Sequence, residues 1–173
     1  MKYYPQLIIR LFLILVSVPI ISFILTPLTI YTSYFILNYY NPILIGNILD
    51  VNGIRFEFVE ACIAIYAYYF LLLLVLLTKN INLKVRSRLV IYGFLAIFAM
   101  NIFRIWLVVF LALEHGFYWF NLVHLLFWKF LMGAYVAIVW ILLVRNYKIK
   151  SIPVYDDLKT VYKDITNKKS RLQ

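Results

Sequence analysis

At 173 residues, with 65% hydrophobic and only 14% charged, the chain departs from a water-soluble domain, which is nearer half apolar and about a quarter charged. A soluble core of this size cannot hide so much apolar surface, so composition excludes an ordinary soluble globule and makes lipid the remaining solvent. The net charge of +10 would suggest nucleic acid in a soluble protein, but the basic residues lie between apolar runs and in the tail, where they read as topology signals and contacts with anionic lipid, so no nucleic-acid partner is expected.

In chain order, a first span is expected over residues 7–25, bent by Pro19 and ended by Thr26-Pro27. Lys2 and Arg10 flank its start and no small-residue cleavage site follows, so it reads as a retained anchor. Residues 28–40 are apolar but rich in tyrosine (Tyr31, Tyr34, Tyr39, Tyr40), which favours a helix lying in the headgroup region. Over residues 43–59, Asn52-Gly53 is a type I′ turn signal, and Ile54, Phe56 and Phe58 alternate with Arg55 and Glu57, so a β-hairpin is expected after Pro42. Three further spans follow, at about 59–77, 89–113 and 122–144.

Residues 78–88 carry Lys79, Lys84, Arg86 and Arg88 without an acid, and Arg145, Lys148 and Lys150 follow the last span. The positive-inside rule makes both segments cytoplasmic, and Lys2 and Arg10 place the N-terminus there too. The hairpin and the loop over 114–121 then face outward, with Asp50, Glu57, Glu60 and Glu114 on the same side. An odd number of crossings must separate the N-terminus from the hairpin, so residues 28–40 should not cross. The expected fold is an all-α integral membrane protein of the cell membrane: four transmembrane helices, an outer interfacial helix and a short β-hairpin. Residues 1–150 form the membrane-embedded domain. Residues 151–173 form a basic cytoplasmic tail, in which Val154, Leu158, Val161, Tyr162 and Ile165 fall on one helical face.

Arg104 lies inside the third span, where a guanidinium is costly and is by default a functional signal. Asn101 is one turn earlier on the same face, where it can orient Arg104 and contact a substrate. The alternative for Arg104 is an ion pair with Glu57 or Glu60 that only locks helices together. Cys62 is the single cysteine, so no internal disulfide is possible. It stands near the start of the second span, where the helix dipole and a nearby cation suit a thiol to nucleophilic work. His124 opens the fourth span at similar depth. A thiol, an imidazole and a fixed cation form a working acyl-transfer set. His115 is a rival base but sits in a loop beside Glu114 and Gly116. Lys129 either snorkels or contacts a substrate carboxylate or headgroup. No metal-ligand cluster or cofactor motif is present.

Glu60-Ala61-Cys62 at a helix start, Asn101-x-x-Arg104 after a basic loop, and His124 opening the last helix resemble the exosortase/archaeosortase family, over about residues 27–144. The family commonly places a small hydroxyl residue and then glycine after the cysteine, where this chain has Ile63-Ala64. Larger members carry extra N-terminal spans. The resemblance implies a membrane transpeptidase that cuts C-terminal sorting signals of exported proteins, each a short motif, a hydrophobic helix and a basic end. It implies Cys62 as nucleophile, Arg104 as substrate or oxyanion stabiliser and His124 as general acid/base, with a membrane lipid as acceptor in the archaeal branch.

Overall fold

The structure is a computed structural model that describes residues 3–79, 81–155, 157–159, 161–162 and 166. Helix α1 (Tyr3–Ile36) passes through a 3₁₀ turn (Leu37–Tyr40) into three short strands, β1 (Ile43–Ile45), β2 (Ile48–Val51) and β3 (Ile54–Glu57). Helices α2 (Glu60–Ile63), α3 (Ile65–Leu76), α4 (Leu83–Glu114), α5 (Phe117–Leu126) and α6 (Met132–Asn146) follow, with a π-helical segment (Phe127–Leu131) between the last two. Three helical stretches are long and apolar enough to cross a membrane: Tyr4–Tyr40, Leu83–Glu114 and Phe117–Asn146.

The expected stop at Thr26-Pro27 and the separate interfacial helix over 28–40 do not occur. Helix α1 runs for 34 residues with Pro19 and Pro27 inside it, about 51 Å at 1.5 Å per residue. Each proline forfeits a local backbone hydrogen bond. In apolar surroundings, abandoning the helix would orphan several more, so the chain bridges the defect instead of ending there. One stripe of α1 is buried, at Arg10, Ile14, Ser17, Ile21, Leu25, Thr29 and Ser33, and continues to Leu37 of the 3₁₀ turn, the three-to-four-residue spacing of a single helical face. Away from it Phe23 is 84% and Phe35 79% exposed.

The second expected span, 59–77, is also corrected. It breaks after one turn, and α3 has 12 residues, about 18 Å, too short by itself for ~30 Å of hydrocarbon. The expected count of four long helices therefore falls to three and a short broken one. Helix α4 starts at Leu83, so Lys84, Arg86 and Arg88 belong to its first turns and not to a loop. Arg86 reaches back to donate to the Thr78 carbonyl at 3.0 Å. The loop expected over 114–121 shrinks to His115-Gly116, with Gly116 at φ +84° before α5.

The expected hairpin is the second half of a three-stranded antiparallel meander, β1-β2-β3. Asn52 and Gly53 have φ of 52° and 82°, the signs of a type I′ turn. The Asp50 side chain accepts a hydrogen bond from the Gly53 N–H at 3.0 Å. The first turn, between Ile45 and Ile48, uses Gly46 at φ 62°. Leu49 and Val51 are fully buried, while Arg55 and Glu57 are exposed.

Two apolar cores result. One is helical and holds Ile63, Ile65, Tyr68, Leu71, Leu89, Ile97 and Val136. The other joins the sheet to α1 and α4 through Leu37, Leu49, Val51, Phe58, Ile102, Ile105 and Val109. In the tail, Val154, Leu158 and Tyr162 are exposed, and Ile165 lies outside the described residues. The buried tail contact is polar. Asp157 pairs with Arg10 at 3.3 Å, both side chains 8% exposed, and Arg10 also donates to the Leu76 carbonyl at the end of α3.

Candidate active site

The site is organised by the break in the second helix. Alanine is the best helix former, yet Ala64 adopts φ 60°, ψ 32°, a left-handed conformation that costs an L-residue about 1–2 kcal/mol. It ends α2 one turn after it began and starts α3 in a new direction. In an unbroken helix the Ala61 and Cys62 carbonyls would accept from N–H groups four residues on. The break releases both.

Helix α4 supplies the replacements. Arg104 Nη2 donates to the Ala61 carbonyl at 3.1 Å and to the Cys62 carbonyl at 3.0 Å. Asn101 Nδ2 donates to the Cys62 carbonyl at 3.0 Å. Arg104 is 4% exposed and Asn101 fully buried. A guanidinium at the negative end of a broken helix is the favourable pairing for a cation at depth. The hydrogen bonds of Arg104 therefore go to backbone oxygens. Glu57 and Glu60, the ion-pair partners weighed from the sequence, are exposed, and the ion pairs among the described residues are Arg10–Asp157 and Arg55–Asp50.

Cys62, Arg104 and His124 border one cavity of about 300 Å³, roofed by Phe56 of β3 and Phe58 just after it and walled by α4 and α5. The Cys62 Sγ is a weak donor to the Glu57 carbonyl at 3.8 Å, which tethers the thiol to the end of β3. His124 is half-buried and packs on Phe120, ring centroids 5.5 Å apart. Phe120 in turn meets Phe56 of the sheet at 6.1 Å. The aromatic pair fixes α5 against the sheet and turns the imidazole toward the thiol's cavity. Cys62 and His124 share this cavity, and no hydrogen bond joins them among the described residues.

The remaining residues singled out from the sequence separate clearly. Asn101 lies behind the cavity as a backbone-capping residue. Lys129 is exposed on the π-helical segment and does not border the cavity. His115 ends α4 and stacks edge-on against Phe110 at 5.8 Å, also outside it. Sequence reasoning did not find the left-handed Ala64 or the aromatic wall of Phe56, Phe117 and Phe120. The available signal was the glycine that commonly stands at the place of Ala64 in the family the sequence resembles, because glycine adopts that conformation without penalty. Compared with protein-family models, curated proteins and solved structures, the chain matches none.

Proposed function

We propose that the chain is a multi-pass membrane cysteine endopeptidase/transpeptidase of exosortase/archaeosortase type, acting on the C-terminal sorting signals of exported proteins. The observation that carries this reading is that a thiol, a guanidinium and an imidazole from three separate helices border one cavity. The bare aromatic side chains on α1 support the membrane placement. The basic residues after α3, at the start of α4 and at the end of α6 support cytoplasmic termini, with the cavity near the outer face.

In this mechanism the substrate's hydrophobic helix lies against the bundle with its scissile carbonyl in the cavity. The Cys62 Sγ attacks that carbonyl, and His124 accepts the thiol proton. Arg104 holds the turn that carries the nucleophile. The guanidinium has five N–H donors, and those not on Nη2 have no hydrogen bond to the described residues, so they can meet the developing oxyanion. The C–N bond breaks, the amine leaves with the proton from His124, and an acyl thioester remains on Cys62. A lipid amine, a lipid hydroxyl or water then attacks the thioester and releases the thiol. No cofactor takes part.

The test is co-expression with an exported protein that ends in a hydrophobic helix and basic residues, followed by mass measurement of its new C-terminus. Cys62→Ala and His124→Ala are expected to abolish processing while the protein still inserts. Continued processing by Cys62→Ala refutes the mechanism. A second reading, a non-enzymatic membrane assembly or transport subunit, draws on the carbonyl bonds of Arg104, which alone account for its burial. A membrane-impermeant thiol reagent separates the two. The peptidase reading expects rapid labelling of Cys62 from outside, and the subunit reading expects an inert thiol.

A further inference from the structure

At the end of the molecule away from the sheet, two cavities of about 450 and 560 Å³ adjoin and share Lys79 and Ile81. The first lies between α1 and the start of α4, and Arg10, Lys79 and Arg86 border it. The second lies between the start of α4 and the end of α6, and Lys79, Lys148 and Lys150 border it. Neither wall contains an aspartate or glutamate among the described residues. Asp157 approaches this end through its pair with Arg10.

Among the described residues, the Arg86 guanidinium is not fully satisfied. It gives one bond to the Thr78 carbonyl, and its Nε has no acceptor among the described residues. Asn82, at the start of α4, makes no side-chain capping bond and borders the second cavity, so the positive end of a 32-residue helix adds to the field there. The rim of the first cavity is of opposite character. Ile9 is 58%, Leu13 49% and Leu83 73% exposed. Clustered cations inside an exposed apolar rim match an amphiphile: an anionic phosphate among the side-chain charges, acyl chains along α1.

We propose that these adjoining cavities hold the phosphate headgroup of an acidic phospholipid drawn from the leaflet at the basic end of the molecule. A free phosphate ion would leave the apolar rim without a role. The proposal rests on the membrane placement and is independent of the peptidase chemistry.

The experiment uses the purified full chain in mixed micelles containing phosphatidylglycerol or phosphatidylcholine, with native mass spectrometry for retained lipid and thermal unfolding as a second readout. Phosphatidylglycerol is expected to be retained and to raise the unfolding temperature, and phosphatidylcholine to do neither. Lys79→Gln/Arg86→Gln is expected to weaken phosphatidylglycerol binding about thirtyfold, from about fivefold per charge. Lys148→Gln/Lys150→Gln, in the turn after α6, gives a loss of the same order without touching the α3–α4 connection. Lys84→Gln/Arg88→Gln removes the same charge from exposed positions that border neither cavity, and should weaken binding less than about threefold. Equal losses in all three double variants overturn the site in favour of diffuse surface charge. Inorganic phosphate or glycerol phosphate stabilising the protein as much as the lipid overturns the lipid assignment.

Discussion

Arg104→Met tests whether the broken helix is held by α4. Methionine keeps the length and apolar stem but removes both bonds from Nη2, at 3.1 and 3.0 Å. A hydrogen bond from a charged group contributes about 1.5–3 kcal/mol net, so losing two costs about 3–6 kcal/mol before compensation. Two effects reduce this. The Cys62 carbonyl keeps Asn101 at 3.0 Å, leaving only the Ala61 carbonyl orphaned. The variant also no longer buries a guanidinium, which recovers about 2.5–3.5 kcal/mol. The net loss should be about 1–3 kcal/mol, concentrated in α2 and the Ala64 turn. Amide hydrogen exchange by mass spectrometry on peptides spanning residues 60–66 is expected to accelerate by about thirtyfold for a loss near 2 kcal/mol, while exchange in the middle of α4 changes much less. Unchanged exchange over 60–66 in a correctly inserted Arg104→Met protein would refute the capping role. Because this role is structural, loss of processing in an Arg104 variant identifies chemistry only where exchange over 60–66 stays native.

At Ala64 the backbone conformation governs substitution. Ala64→Gly relieves about 1–2 kcal/mol of left-handed strain against about 0.5–1 kcal/mol of added chain entropy, so thermal unfolding should be unchanged or slightly later. Ala64→Val should lower stability by about 1–3 kcal/mol, and equal behaviour of the two variants would contradict the left-handed assignment. In the tail, Asp157→Asn leaves Arg10 with its carbonyl acceptors on Gln6 and Leu76, so the loss should reach at most about 3 kcal/mol. The double change Arg10→Met/Asp157→Leu should cost less than Asp157→Asn in the same unfolding assay. At Gly93 an added Cβ would collide with the fully buried Leu71 and lie 3.3 Å from Leu143. Gly93→Ala should therefore destabilise the α3–α4–α6 packing by about 1–3 kcal/mol, seen as a lower unfolding temperature with no change in Cys62 labelling.

Several features needed only the sequence. Long apolar runs dictate long apolar helices, because an unpaired backbone has no acceptor outside the helix in such surroundings. Asn52-Gly53 specified its turn by itself, since two consecutive positive φ values admit few other residues. The placement of Cys62, Arg104 and His124 on three separate helices followed from hydropathy and charge alone. What remained hidden was non-local. Proline reads as a helix end, but whether it ends or only bends α1 depends on what surrounds the freed carbonyls, and these are set by packing against α3 and α4. Ala61-Cys62-Ile63-Ala64 reads as uninterrupted helix, because no residue in it needs to break. The break at Ala64 exists because Arg104 and Asn101, some forty positions away, supply the hydrogen bonds that a continuous helix would have supplied internally. Local propensity can place a residue on a helix, but only the tertiary fold decides which helix gives up its own hydrogen bonds for those of a neighbour.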